Sequence, residues 1–290
     1  MPYPPSRPPS FRDGVEEADL ELHGVRARAF RFRGCPDDRA RALVCLAGMG
    51  ADGRSFVRQR PLADDRLVLP LNLPWETPPG ADPLLFAAEV VEEYLASERL
   101  ERPVLLGSSF GGAVAAIVAL RGRAPLGALV LVDAVLSRRQ IPLATTLFVD
   151  VLEAPDPLAR LVSPIAAQLM GGFGLDREGR DELVREARHF SGRELKRRLT
   201  ALLGLDLYPD LPRLAALPVL FVHGRRDLLV PLRAARKAAA LVPGARFEVV
   251  DRAGHVPYLS HPQAFNAITA DFLRGLAAAA PARRGEARAP

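Results

Sequence analysis

Ser109 lies in Gly107-Ser108-Ser109-Phe110-Gly111-Gly112, a G-x-S-x-G pattern that follows the apolar run Pro103-Val104-Leu105-Leu106 and precedes a helix-like run from Gly112 to Leu120. A serine at a sharp strand-to-helix turn is suited to nucleophilic acyl transfer, because the strained turn lifts its hydroxyl above a sheet. Glycines two before and two after it let the chain reverse where a Cβ would collide with a neighbour. The helix behind the turn aims its first N–H groups and its positive end at an oxygen that becomes negative during the reaction. The same glycines also suit a plain tight turn with Ser108 or Ser109 capping the helix, but that arrangement predicts nothing further along the chain. Only Ser109 has glycine at both offsets, so it is the expected nucleophile.

A serine hydroxyl needs a base, and the base an acid that orients it. Both are expected later in the chain, each just beyond a strand. Pro218-Val219-Leu220-Phe221-Val222-His223-Gly224-Arg225-Arg226-Asp227 reads as a buried strand that breaks at Gly224 and leaves Asp227 in the following loop. Phe247-Glu248-Val249-Val250-Asp251-Arg252-Ala253-Gly254-His255 reads the same way and delivers His255. Groups beyond the carboxyl ends of parallel strands share one edge of the sheet, where open α/β sheets bind ligands. Asp133, after the apolar run Ala128 to Val132, is an alternative acid. Among the other histidines, His23 falls in a strand-rich leader and His189 in a helical insertion. His223 sits at a strand end and reads as structural, and His261, next to Pro262, reads as a helix-start residue.

The elements that must position these groups form an alternating series. Residues 15 to 33 alternate as strands do, in Leu20-Glu21-Leu22 and Ala27-Arg28-Ala29-Phe30-Arg31-Phe32, and are expected to form an antiparallel hairpin at the sheet edge. Apolar strands are expected near Leu43 to Leu46, Leu67 to Leu71, Val104 to Leu106, Leu129 to Val132, Val219 to Val222 and Phe247 to Val250. Helices such as Leu84 to Ser97 and Leu232 to Leu241 separate them. Apolar strands alternating with helices imply α/β architecture, a mostly parallel central sheet with helices on both faces. From Val135 to about Leu217 only helical periodicity remains, which predicts a helical cap inserted after the sixth strand. The expected division is a disordered 1–14, a core of 15–135 and 218–277, a cap of 136–217 and a disordered tail of 278–290.

With these motifs in this order, residues 15 to 277 resemble the α/β-hydrolase family of serine hydrolases. The resemblance rests on the elbow, on Leu217 to Pro231 with its His-Gly-Arg-Arg-Asp, and on Ala253-Gly254-His255-Val256-Pro257-Tyr258. It implies Ser109 as nucleophile, Asp227 as acid, His255 as base, and an oxyanion hole from the backbone N–H groups of Met49 and Phe110. It also implies an esterase-like activity on a small to medium apolar ester or thioester through an acyl-enzyme. Carbon–carbon bond hydrolysis, acyl transfer, lactone hydrolysis and a non-catalytic ligand receptor are the alternatives on the same frame. Two loops depart from the family pattern. Ala47-Gly48-Met49-Gly50 lacks the usual His-Gly, and Leu71-Asn72-Leu73-Pro74-Trp75-Glu76-Thr77-Pro78-Pro79-Gly80 replaces a Gly-His-Gly loop at the active-site mouth. Trp75 is expected to face that mouth. Met170 and Phe173, in the apolar stretch Ile165 to Phe173, could line an acyl pocket, with Gly171-Gly172 as a hinge or simply a helix end.

Composition narrows the remaining classes. The 290 residues are 49% hydrophobic, enough for one large α/β core. The net charge of +5 comes from a chain in which 37 of 39 basic residues are arginine. Its short clusters, such as Lys196-Arg197-Arg198, are not interleaved with aromatics, so nucleic acid is not an expected partner. No metal-ligand spacing, Walker loop or G-x-G-x-x-G after a first strand occurs, and no metal or cofactor is expected. Two cysteines, no secretion signal and no long apolar stretch point to a cytoplasmic protein with no membrane partner, a monomer or weak homo-oligomer whose partner is its small-molecule substrate.

Overall fold

The computed structural model of the chain describes residues 14–143, 174–187 and 189–279. Five apolar segments become strands that are buried at every position: β3 (Leu43–Leu46), β4 (Val68–Leu71), β5 (Val104–Ser108), β6 (Ala128–Val132) and β7 (Val219–Gly224). Burial on both faces is what a parallel sheet between helix layers requires. Each fully buried Leu or Val in these strands contributes about 1.5–3 kcal/mol by leaving water. β1 (Val15–Leu22) and β2 (Val25–Phe32) form the antiparallel edge hairpin, and β2 joins β4 through Ala29 and Leu71. The sheet order is β1-β2-β4-β3-β5-β6-β7-β8, parallel from β4 onward.

β8 (Arg246–Val250) differs from the buried strand its apolar residues predict. It is the edge strand, and only Val250 is fully buried, so Arg246 and Glu248 use their outward positions for ion pairing.

One order reversal matters for function. From β3 the chain steps outward to β4 and then crosses back to β5 on the other side of β3. Loops leaving β3 and β5 therefore diverge, and a crevice opens between them at the carboxyl ends of the strands. α1 (Pro83–Ser97) starts at Pro83 with the Asp82 side chain accepting from Leu84 and Leu85 N–H, a standard acidic N-cap. It packs on α2 (Phe110–Arg121). A 3-10 segment, Gly53–Ala63, packs with α6 (Pro257–Ser260) and α7 (Pro262–Ala279). There the Gln59 amide donates to Tyr258 O at 2.7 Å and the Phe56 and Tyr258 rings stack at 4.7 Å. α5 (Leu232–Ala239) lies between β7 and β8 in the chain.

Between β6 and β7 the described residues form no named strand. They hold α3 (Arg177–Ala187) and α4 (Gly192–Gly204), with short 3-10 turns at Arg138–Gln140 and Leu211–Ala216. α4 begins where the Ser191 side chain accepts from Glu194 N–H. The fold is thus a mostly parallel, eight-stranded α/β sheet with a helical insertion after the sixth strand. Among the described residues no helix is long and apolar enough to cross a membrane.

Candidate active site

The turn after β5 is fixed by close backbone approach. A Cβ on Gly107 would overlap the Gly111 carbonyl, and one on Gly111 would overlap the Ala47 and Leu46 carbonyls. Both glycines are required by space rather than by dihedral angle. Between them Ser109 takes φ 52° and ψ −113°, a conformation that costs a non-glycine residue about 1–3 kcal/mol. The strain is held by neighbours: Ser109 N–H donates to Val132 O at 2.9 Å, tying the turn to the end of β6. Ser109 precedes α2 but makes no side-chain cap bond, and its side chain stays partly exposed. Ser108 is 1% exposed, and its Oγ has no partner among the described residues.

Opposite the turn, the loop after β3 closes on the serine. A Cβ at Gly48 would lie 3.3 Å from Ser109 Cβ. Phe110 is the first residue of α2, where N–H groups lack helical acceptors and the helix end is positive. Among the described residues, neither Phe110 N–H nor Met49 N–H donates to an acceptor. These two groups border the crevice from its two sides.

The loops after β7 and β8 meet at Gly224, where a Cβ would overlap the Gly254 carbonyl. That contact brings Asp227 and His255 together. His255 Nδ1 lies 2.8 Å from Asp227 Oδ2, and both side chains are almost fully buried. The carboxylate can only accept, so Nδ1 carries the proton and Nε2 is left as the basic nitrogen. The other oxygen, Asp227 Oδ1, accepts from Leu229 N–H at 2.8 Å and Val230 N–H at 3.0 Å. Burial works to raise the Asp227 carboxyl, but His255, His223 and the backbone donors bring it below its ordinary value. Among the described residues no hydrogen bond joins Ser109 Oγ to His255 Nε2.

Asp133, the other acid the sequence offers, stands behind this pair. It is fully buried at φ 44°, and its Oδ1 accepts from Gly224 N–H at 2.9 Å and lies 3.1 Å from His223 Nδ1. Burial first, and the Asp227 charge second, hold its carboxyl well above the usual range. Asp133, Asp227 and His255 each place one donor atom within 4.8 Å of the others, a separation at which a cation could be shared. The Nδ1···Oδ2 bond accounts for two of those donors without an ion.

The remaining histidines lie elsewhere. His23 turns the β1–β2 hairpin, His189 stacks on Trp75, and His261 starts α7 with Nδ1 on Ser260 Oγ at 3.0 Å. Trp75 is held between the His189 ring and the Arg28 guanidinium, each at 5.7 Å, and its Nε1 is buried without a partner among the described residues. Met170, Phe173 and the Gly171-Gly172 pair lie outside the described residues.

Sequence patterns gave little sign of how the insertion is fastened. Glu194 accepts from Thr77 Oγ1 at 2.7 Å and from Arg198 Nε at 3.0 Å. Arg197 donates to the carbonyls of Thr77, Pro78 and Ala81, and Arg198 to that of Pro74. The basic cluster at 196–198 is therefore largely spent inside the molecule. The loop that departs from the family pattern is the one these arginines grip. Glu186 adds a second fastening by accepting from Asp52 N–H at 3.1 Å. The only advance signal was Glu194 three and four residues before Arg197 and Arg198, a spacing equally common on solvated faces. A groove of about 730 Å³ opens beside α4, lined in part by Asp82, Leu85, Arg193 and Thr200, and includes none of Ser109, Asp227 and His255.

Comparison with known proteins places the chain in a family. The sequence profile of the alpha/beta hydrolase family matches residues 43–268. The pimeloyl-[acyl-carrier protein] methyl ester esterase of Aromatoleum aromaticum is 32% identical over 261 residues, covering 80% of this chain and 98% of that protein. The biotin biosynthesis bifunctional protein BioHC of Teredinibacter turnerae is 29% identical over 268 residues, and the match spans 45% of that longer protein. In structure, the esterase RhEst1 from Rhodococcus sp. ECU1013 superposes with a TM-score of 0.75 over 91% of this chain and 99% of its own, at 22% identity. The chain belongs to the alpha/beta hydrolase family and is a hydrolase.

Proposed function

We propose that the protein hydrolyses a carboxylic ester through a Ser109–His255–Asp227 triad, with Met49 and Phe110 N–H as the oxyanion hole. The observation that carries this reading is the 2.8 Å His255 Nδ1···Asp227 Oδ2 bond, formed at the same sheet edge that holds Ser109 in a strained turn. In the reaction, His255 Nε2 takes the Ser109 proton while Oγ attacks the ester carbonyl, and Asp227 fixes the tautomer and faces the imidazolium that forms. The developing negative oxygen is received by Met49 and Phe110 N–H. The protonated His255 then returns the proton to the leaving alcohol, and water, activated in the same way, releases the acid. Names of relatives that act on a methyl ester of an acyl chain favour an acyl ester, with the insertion after β6 shaping the acyl side as a cap.

The test is intact-mass labelling with a fluorophosphonate followed by peptide mapping. One adduct on Ser109, abolished in His255→Ala, supports the triad, and a panel of methyl esters, longer alkyl esters and thioesters then ranks the acyl length. A folded protein that takes no label and turns over none of the panel would sink the reading. Cleavage of a β-diketone with no ester turnover would move it to carbon–carbon bond hydrolysis.

A further inference from the structure

We propose that Arg198 is a positioning residue for the oxyanion hole, and that α4 of the helical insertion bridges the crevice and holds both loops that supply the oxyanion N–H groups. This role rests on the hole proposed above and assigns part of its geometry to a helix far away in sequence.

Phe110 is fully buried, and the Arg198 guanidinium lies over its ring with Cζ 5.0 Å from the centroid. The Phe190 ring stands 4.8 Å from the same Cζ. Both distances fall within the roughly 6 Å reach of a cation–π contact. The guanidinium edges are held as well: Nε donates to Glu194 Oε1 at 3.0 Å and Nη2 to Pro74 O. A planar group set against two rings and bonded along its edges is fixed in orientation, which a flexible point charge would not be. Filling space alone needs none of this, since a buried cation costs free energy that an apolar side chain would not. The ring and the N–H of Phe110 hang on one Cα, so a stop on the ring is also a stop on the N–H.

The other donor is met by the same helix face. Leu195 precedes Arg198 by three residues, which sets the two side by side on α4. A Cβ placed on Gly50 would make ordinary contact with Leu195 Cδ2, at 3.6 Å, and Gly50 directly follows Met49. Two residues further along that loop, Asp52 N–H donates to Glu186 at the end of α3 at 3.1 Å. Strand order fixes where the loops after β3 and β5 begin, and they diverge from there. The gap between their tips is a separate quantity, and a helix that touches both sets it. An oxyanion hole depends on that gap, because both donors must reach one oxygen at about 2.7–3.1 Å.

Two esters separate a positioned hole from a shaped pocket: p-nitrophenyl acetate, whose acyl group is too short to fill a pocket, and p-nitrophenyl octanoate. Arg198→Lys keeps a cation for Glu194 and loses the planar contact with Phe110. Its kcat should fall at least about tenfold on both esters with KM within about twofold of wild type, the pattern of an interaction made in the transition state. The rate of fluorophosphonate labelling should fall in parallel. Phe110→Leu keeps the backbone N–H and loses the ring, so the double variant should be no slower than the slower single one, because both changes break one contact. Thermal melts confine each comparison to folded protein, and Leu195→Ala, which frees the Met49 side, should show the same kcat loss if Arg198→Lys does not fold. An unchanged kcat on the acetate, or a KM rise confined to the octanoate, would overturn the proposal and make Arg198 a pocket wall. Losses that multiply in the double variant would overturn it too. A folded wild-type protein that turns over neither ester and takes no label would instead sink the triad, and the hole with it.

Discussion

The strand end that carries Ser109 and the border where the helical insertion meets the sheet are held by different forces. At that strand end, position is set by apolar strands and by Gly107 and Gly111, whose backbones touch their neighbours, with Ser109 pinned by a main-chain bond to Val132. At the border, Asp52, Glu186, Glu194 and Arg198 are between 0 and 3% exposed and stand beside the apolar contacts of Leu175, Leu183 and Leu202 with the core. Close packing fixes geometry to fractions of an ångström and is indifferent to pH. Buried charge is conditional: it holds only while each group keeps its partner and its proton. The Ser109 turn therefore belongs to the part of the molecule fixed by packing, and the border with the insertion to the part in which buried charge shares the hold.

The largest expected effect separates chemistry from stability at the rigid end. Ser109→Ala should reduce kcat by roughly 10⁴-fold or more, as loss of a triad nucleophile does. It should leave the melting temperature at or near that of wild type, because the strand packing around the turn is untouched. Steady-state rates together with a thermal melt check both halves. A variant that keeps its rate would end the triad reading.

Next comes the border. Arg198→Ala leaves Glu194 as a buried carboxylate without its closest cation, and breaking such a pair costs about 3–5 kcal/mol. Leu131→Ala in β6 should cost a similar amount, about 2–5 kcal/mol, through a cavity. The two should differ in where the loss appears. Arg198→Ala should speed hydrogen exchange in residues 192–204 and in the 72–82 loop before the sheet is affected, whereas Leu131→Ala should lower global stability with no selective exposure of α4. Equal exchange patterns would erase the distinction between the two regions.

The same division explains what the sequence made legible. The Gly107 and Gly111 spacing around Ser109 could be read directly because it answers a local backbone demand. Asp227 and His255 could be placed because a strand followed by a short glycine loop has one geometry in a parallel sheet. The unusual loop Asn72 to Gly80 was visible as a departure, but its cause was not. Thr77 and Glu194 lie 117 residues apart, and nothing in either neighbourhood announces the other. Trp75 shows the same gap: its loop was legible, while its place between Arg28 and His189 depends on two distant elements. β8 was read as buried from its apolar residues, when its position at the sheet edge leaves most of it half-exposed.

A third test uses protons to probe the border. Burial, with the neighbouring Asp52 charge second, raises Glu186 well above its ordinary value, and burial raises Asp52 as well. The folded protein thus retains protons that the unfolded chain has released, so stability falls as pH rises from the ordinary carboxylate range through these raised values. Each unit of difference between folded and unfolded pKa is worth about 1.4 kcal/mol. Glu186→Gln removes one titrating partner and supplies an amide that can donate to Asp52. Thermal melts between pH 5 and 8 should show a decline in wild type that is shallower in the variant. Parallel curves would mean that this pair carries no pH dependence.

The smallest expected effect marks where the border stops depending on buried charge. Arg58, on the 3-10 segment, donates to both carboxylate oxygens of Asp176 at 2.8 Å just before α3 begins, an ion pair that joins the insertion to the core. Yet the Asp176 side chain is 54% exposed, so water competes for both oxygens. Exposed pairs of this kind are worth about 0.2–1 kcal/mol and fade with added salt. Asp176→Asn also keeps an oxygen for Gly179 N–H, which donates at 2.8 Å to Oδ1. Its melting temperature should therefore differ little from wild type at low salt and match it in 1 M salt, with no opening of α4 in hydrogen exchange. If Asp176→Asn released the insertion as fully as Arg198→Ala, geometry rather than burial would be ranking these contacts, and the contrast between the two regions would need a different cause.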